Sequence, residues 1–205
     1  MEFSILTAAA LAVMTQMVPP EHAAATAPAH NGRIETANER LTRYGDVAPD
    51  LTAAVAAELG PGASDWAMRT LIAQTLGAII HESRLDLDVD VGPCSKSIHG
   101  RCPGGAVCLG QIEMASYERT REGWSKADIA NDRMKCLRLA ARRIRGSMCH
   151  CARVQRGWMQ PQPLALLAEY ASGSCLAGHK ASAEILGIAA SASSHLAAFI
   201  HINKQ

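Results

Sequence analysis

A mainly α-helical fold with little or no sheet is predicted by three features of the sequence. Apolar residues recur at helical spacing, as in Met68, Leu71, Ile72, Leu76, Ile79 and Ile80. Hydrophobic residues make up 48% of the chain but aromatics only 4%, so the core is built from Ala, Leu, Ile, Val and Met. Such a core suits packed helices better than short strands. No stretch alternates apolar and polar residues convincingly enough to read as a strand.

The 205 residues fit one ordinary domain, or one domain with a leader. Residues 1–18 hold an apolar run through Ile5, Leu6, Leu11, Val13 and Met14. A secretory signal has such a middle, but residue 2 is Glu and no Lys or Arg precedes Arg33. A cleaved signal, an anchor and a first helix of the domain are therefore all open readings. No run is long and apolar enough for a firm membrane span. Residues 19–33, rich in Pro and Ala, read as a linker, which leaves 34–205 as the folded domain.

Leu51, Val55 and Leu59 mark a short helix over 50–59, stopped by Gly60 and Pro61. Ser64 or Asp65 caps the next helix, which ends near Ser83. Residues 86–108 contain four glycines, two prolines and three cysteines and read as a long loop. A helix over 127–148 buries Ile129, Leu137, Ala140, Ile144 and Met148, and turns Arg138, Arg142 and Arg145 outward as a solvated face. Pro163 starts a helix that breaks near Gly173. A last helix, 181–200, presents Ile185, Ile188, Leu196 and Phe199 or Ile200.

A formal net charge of +1 gives no field suited to nucleic acid. The seven cysteines (Cys94, Cys102, Cys108, Cys136, Cys149, Cys151 and Cys175) point to disulfides and an oxidising compartment, one thiol being left over. The sequence does not choose their pairing. Cys94, His99, Cys102 and Cys108 lack the paired spacing of a zinc knuckle, so disulfides are the better reading. His81-Glu82 does not begin an H-E-x-x-H site, because residue 85 is Leu.

Glu82 lies three residues after Ile79 and four after Ala78, at the last turn of an apolar helix. Apolar surroundings and the helix C-terminus both disfavour a carboxylate there, so its proton is held to higher pH. That is what a glycosidic general acid requires, although a solvated Glu at a helix edge fits the same periodicity.

The segment IIHESRL, a glycine-rich loop, and then AVCLGQIEM resemble the soluble lytic transglycosylase domain of the lysozyme superfamily. Glu82-Ser83 match the family's Glu-Ser pair, and Leu109-Gly110-Gln111-Ile112 its Gly-Leu-Met/Gly-Gln-Ile segment. KCLRLAARRIR and LALLAEYASGSC resemble two further family segments, in family order, over about residues 66–178. Cys108 stands where the family usually has Gly, and Ala171 where it has Asn, which removes one expected sugar contact.

The resemblance implies a lysozyme-like helical fold, peptidoglycan glycan strands as partner, and no metal or cofactor. Glu82 would be the catalytic acid and base at the N-acetylmuramic acid–N-acetylglucosamine bond, while Ser83, Gln111 and Tyr170 would contact substrate, Ser83 having as alternatives to orient the Glu or only to cap the helix end. Gln111 can bond an N-acetyl amide, and Tyr170 can bond Glu82 or a sugar or be a core residue with a bonded hydroxyl. A second carboxylate from Asp86, Asp88, Asp90 or Glu113 would permit hydrolysis instead, as in a lysozyme or endolysin. The three aspartates read as solvated loop charges. A non-catalytic wall-binding module is the reading from another class. The implied location is periplasmic, extracellular or phage-associated.

Overall fold

The computed structural model describes residues 3–22, 34–90, 106–115, 117–156 and 165–202. Its main elements among these residues are α1 Phe3–Met17, α2 Ala37–Leu59, α3 Asp65–Ser83, α4 Leu87–Asp90, β1 Ala106–Val107, β2 Ile112–Glu113, α5 Lys126–Ala130, α6 Arg133–Gln155, α7 Ala168–Ser172 and α8 His179–Ile202, and residues 20–22, within the expected linker, are also helical. The predicted mainly α-helical class holds. β1 and β2 pair antiparallel, with Ala106 opposite Glu113 and Val107 opposite Ile112.

α3 is the central helix. It packs most extensively on α8, while α6 packs on α2, and α1 lies across both α2 and α8. Gly77 permits the close α3–α8 approach, since a Cβ there would meet the Ile185 carbonyl oxygen at 2.6 Å. α1 contributes Leu6, Ala9, Ala10, Val13 and Met14 to the common core. α8 is long and apolar enough to cross a membrane by length and composition, yet Ile185, Ala189, Ala192, Leu196 and Ile200 are buried within the protein.

Three boundaries differ from expectation. α2 begins at Ala37, well before the expected 50, and runs through Pro49. Its start is a capping box, in which Thr36 accepts from the Glu39 amide and Glu39 accepts from the Thr36 amide. The expected helix over 127–148 is two helices, interrupted at Asn131 and Asp132. Asp132 caps α6 by accepting from the Lys135 amide, and α6 then continues to Gln155. The short α7 begins at Ala168, and the expected start at Pro163 lies outside the described residues, as does the linker over 23–33. Gly60 and Gly173 end α2 and α7 where the sequence placed the breaks, and both have positive φ.

Two charge assignments are corrected. Arg138, Arg142 and Arg145 do not form a merely solvated face, because all three reach Glu58 at the end of α2. Arg138 Nε and Arg142 Nε donate to the Glu58 carboxylate at 2.9 and 2.8 Å, and Arg145 Nη1 donates to the Glu58 carbonyl at 2.8 Å. Burial pushes the Glu58 carboxyl up, but the guanidinium bonds outweigh it and hold the group below its ordinary range.

Asp86 and Asp90 are not solvated loop charges either. They are buried in a network with Glu35, Arg40, Arg43 and Arg133. The side chain of Asp88 lies outside the described residues.

Candidate active site

Ser64 starts the site-bearing helix by accepting from the Ala67 amide at 3.1 Å. At the other end α3 stops sharply. Arg84 and Leu85 both adopt left-handed backbone, with φ of 51° and 54°. Side chains disfavour that region, so the turn must be held. Arg43 Nη2 donates to the Leu85 carbonyl at 2.7 Å, Arg40 Nη1 donates to it at 3.4 Å, and the Leu85 side chain is fully buried. The buried arginine network thus fixes the end of the helix that carries Glu82.

Glu82 lines a cleft of about 630 Å³ together with Gly110, Gln111, Ile112, Glu113, Arg143, Glu169 and Tyr170. That volume falls in the size class of small-ligand sites. Burial is the main influence on Glu82 and raises its pKa; adjacent His81 works against it through charge and hydrogen bonding, and Glu113 adds a further upward push. His81 lies between two carboxylates, with Nδ1 3.6 Å from Glu82 Oε1 and Nε2 3.0 Å from Glu184 Oε2 on α8.

Gln111 and Tyr170 line the same cleft as Glu82. Gln111 closes the β1–β2 turn at φ +46°, and its side-chain amide donates to the Cys108 carbonyl at 3.1 Å. Tyr170 gives its hydroxyl to the Gly110 carbonyl at 2.8 Å, and its own amide donates to Ser147 Oγ at 3.0 Å. Burial, followed by the Glu82 charge, pushes the Tyr170 hydroxyl well up; Arg143 opposes. Tyr170 therefore lines the cleft as a neutral donor that pins the hairpin.

Ser83 is 2% exposed and outside the cleft lining, which fits the helix-end reading of it and not the substrate contact. Its hydroxyl donates to the Ile79 carbonyl at 2.6 Å and accepts from the Leu85 amide at 3.2 Å. The left-handed turn leaves the Leu85 amide without a helical partner, and Ser83 satisfies it, while its bond to Ile79 is a back-bond onto a carbonyl within α3.

The hairpin is tied to α6 by the Cys108–Cys136 disulfide, and a second bond joins Cys151 to Cys175. Cys149 is free and exposed, while Cys94, His99 and Cys102 lie outside the described residues. These bonds fit folding in an oxidising, extracytoplasmic compartment. Among the described residues, His150, Glu169 and Cys175 offer donor atoms within 4.8 Å of one another. The Cys175 sulfur is bonded to Cys151, so only two of those donors are free to hold a metal.

The sequence reading did not assign His81, Arg143 or Glu169 to the site. Glu169 precedes Tyr170 directly, and His81 precedes Glu82. Arg143 was hidden among the arginines of α6. Compared with protein-family models, curated proteins and solved structures, the chain matches none.

Proposed function

We propose that this chain is a peptidoglycan lytic transglycosylase with Glu82 as its single acid and base. One observation carries the reading. Four sequence segments resembling that family, far apart in the chain, contribute Glu82, Gly110 to Ile112, Arg143 and Tyr170 to one cleft. A carboxyl whose ionised form is disfavoured by burial lies on its wall.

In the proposed reaction Glu82 protonates the oxygen linking N-acetylmuramic acid to N-acetylglucosamine. The C1–O4 bond breaks, and the substrate's own N-acetyl group stabilises the oxocarbenium ion. Glu82 then takes the proton of the 6-hydroxyl, whose oxygen bonds to C1 and closes an anhydro ring. The proton ends where it began, so no second carboxylate is required.

A hydrolysing lysozyme is the second reading, favoured by Glu113 and Glu169, two further carboxylates in the same cleft. Mass spectrometry of the products separates the two, since anhydro ends mark ring closure and reducing ends mark water. Glu82→Gln is expected to cost about 10²–10⁴-fold in rate. Release of glycan fragments by neither protein would refute both enzyme readings and leave a wall-binding module, and equal release by both would refute Glu82 as the acid. The proposed location is facing the cell wall, in the periplasm, outside the cell or on a phage particle.

A further inference from the structure

The catalytic cleft does not end at Tyr170. A second basin of about 500 Å³ is lined by Arg142, Arg143, Gly146, Ser147, His150, Glu169 and Tyr170. Arg143, Glu169 and Tyr170 line both cavities, so the two meet along one wall.

Three arginines of α6 hold carboxylates, whereas Arg143, like Arg145 and Arg153, bonds a backbone carbonyl, and of these last three only Arg143 lines the two cavities. Arg133 pairs with Asp90 and Asp50, Arg138 with Glu58, and Arg142 with Glu58 and Glu122. Arg143 has no carboxylate ion pair among the described residues. Its Nη1 and Nη2 both donate to the Glu113 backbone carbonyl, at 3.2 Å each. Those bonds fix the guanidinium at the junction of the cavities while leaving its charge unneutralised by a carboxylate. An arginine held in that way is preorganised to bind an anion, and its planar fork matches a carboxylate. The acidic member of the basin, Glu169, has its carboxyl within 4.8 Å of the His150 ring.

We propose that this basin is a subsite for a carboxylate carried by the glycan polymer, with Arg143 as the residue that binds it. The inference rests on the glycan reading of the cleft. Two parts of the polymer supply such a group: the peptide stem, and the lactyl carboxylate of a muramic acid whose peptide has been removed. A glycan entering beside Glu82 carries either substituent past the cleft wall, where Arg143 stands.

The test is calorimetric binding in a Glu82→Gln background, so that cleavage does not intervene. Three ligands of equal chain length are compared: peptide-bearing strands, strands stripped by an amidase, and chitin oligomers, which have no carboxylate. Adding Arg143→Gln is expected to weaken one or both carboxylate-bearing ligands about tenfold, and chitin oligomers no more than about twofold. The arm that loses affinity identifies the source. Arg143→Lys, which keeps the charge without the fork, is expected to recover part of the loss. A uniform loss across the ligands, or none, overturns the subsite while leaving the glycan reading intact. Failure of the Glu82→Gln protein to bind any of the three overturns both.

Discussion

Asp90→Asn tests whether the end of the helix that carries Glu82 is held by buried charge. Asp90 has a fully buried side chain and accepts from Arg133 Nε at 2.7 Å, Arg133 Nη2 at 2.8 Å and Arg43 Nη1 at 3.3 Å. The substitution keeps the shape and removes the charge that the Arg133 guanidinium holds, while Arg43 loses its 3.3 Å contact and keeps Glu35 at 2.7 and 2.9 Å. Removing one partner of a buried pair costs about 3–5 kcal/mol. Arg133 is 21% exposed and retains Asp50 at 3.2 Å, so part of the charge is answered by water and a second acid. The lower end, about 3 kcal/mol, is expected, which for a chain of this size lowers Tm by roughly 6–12 °C. Thermal and urea denaturation of the oxidised protein measure it. A loss below about 0.5 kcal/mol, the usual size for an exposed substitution, would return Asp90 to the solvated charge that the sequence suggested.

Gly77→Ala places a Cβ against the Ile185 carbonyl oxygen, so overpacking of α3 on α8 is expected to cost about 1–3 kcal/mol in urea denaturation; a neutral result would mean that the helices are looser than described. In the proposed reaction Glu82 acts first as an acid, so the proposed activity is expected while its raised pKa keeps it protonated and is expected to fall as pH climbs through that pKa. Glu113→Gln removes a charge that pushes this pKa up, and the alkaline limb of the rate profile is expected to move to lower pH; an unmoved or higher limb contradicts the coupling.

The elements read correctly from sequence were those whose signals are local. Ser64, the apolar rows of α3, Gly60 and Gly173 fix their boundaries with neighbours a few residues away. The first half of α2 was missed because its buried positions include Arg40 and Arg43. Hydrophobic periodicity registers such residues as surface, and only Glu35, Asp86 and Asp90, most of them distant in sequence, make their burial tolerable. The capping signals at Thr36-x-x-Glu39 and Asp132 were legible and would have corrected both helix starts. In the site, Glu82 could be singled out from its own helix, because the apolar rows and the helix end beside it lie within a few residues in sequence. Arg143 and Glu169 were not, because the cleft they line exists only once α6, α7 and the hairpin meet.

Cys108 joins these two kinds of information. It sits at φ +60°, a conformation that glycine takes freely and that costs other residues about 1–2 kcal/mol. The resembling family usually has Gly at this position, so the backbone shape accounts for that preference. Here the side chain that introduces the strain also anchors the turn, through its disulfide to Cys136 on α6 across 28 residues. A cross-link over such a span contributes about 2–4 kcal/mol, enough to offset the unfavourable φ. The turn that carries Gly110 and Gln111 is then held from both sides, by the disulfide at Cys108 and by the Tyr170 hydroxyl at Gly110. A departure that looks disruptive in the sequence is therefore compatible with the same cleft wall, reached through a covalent tie in place of a glycine.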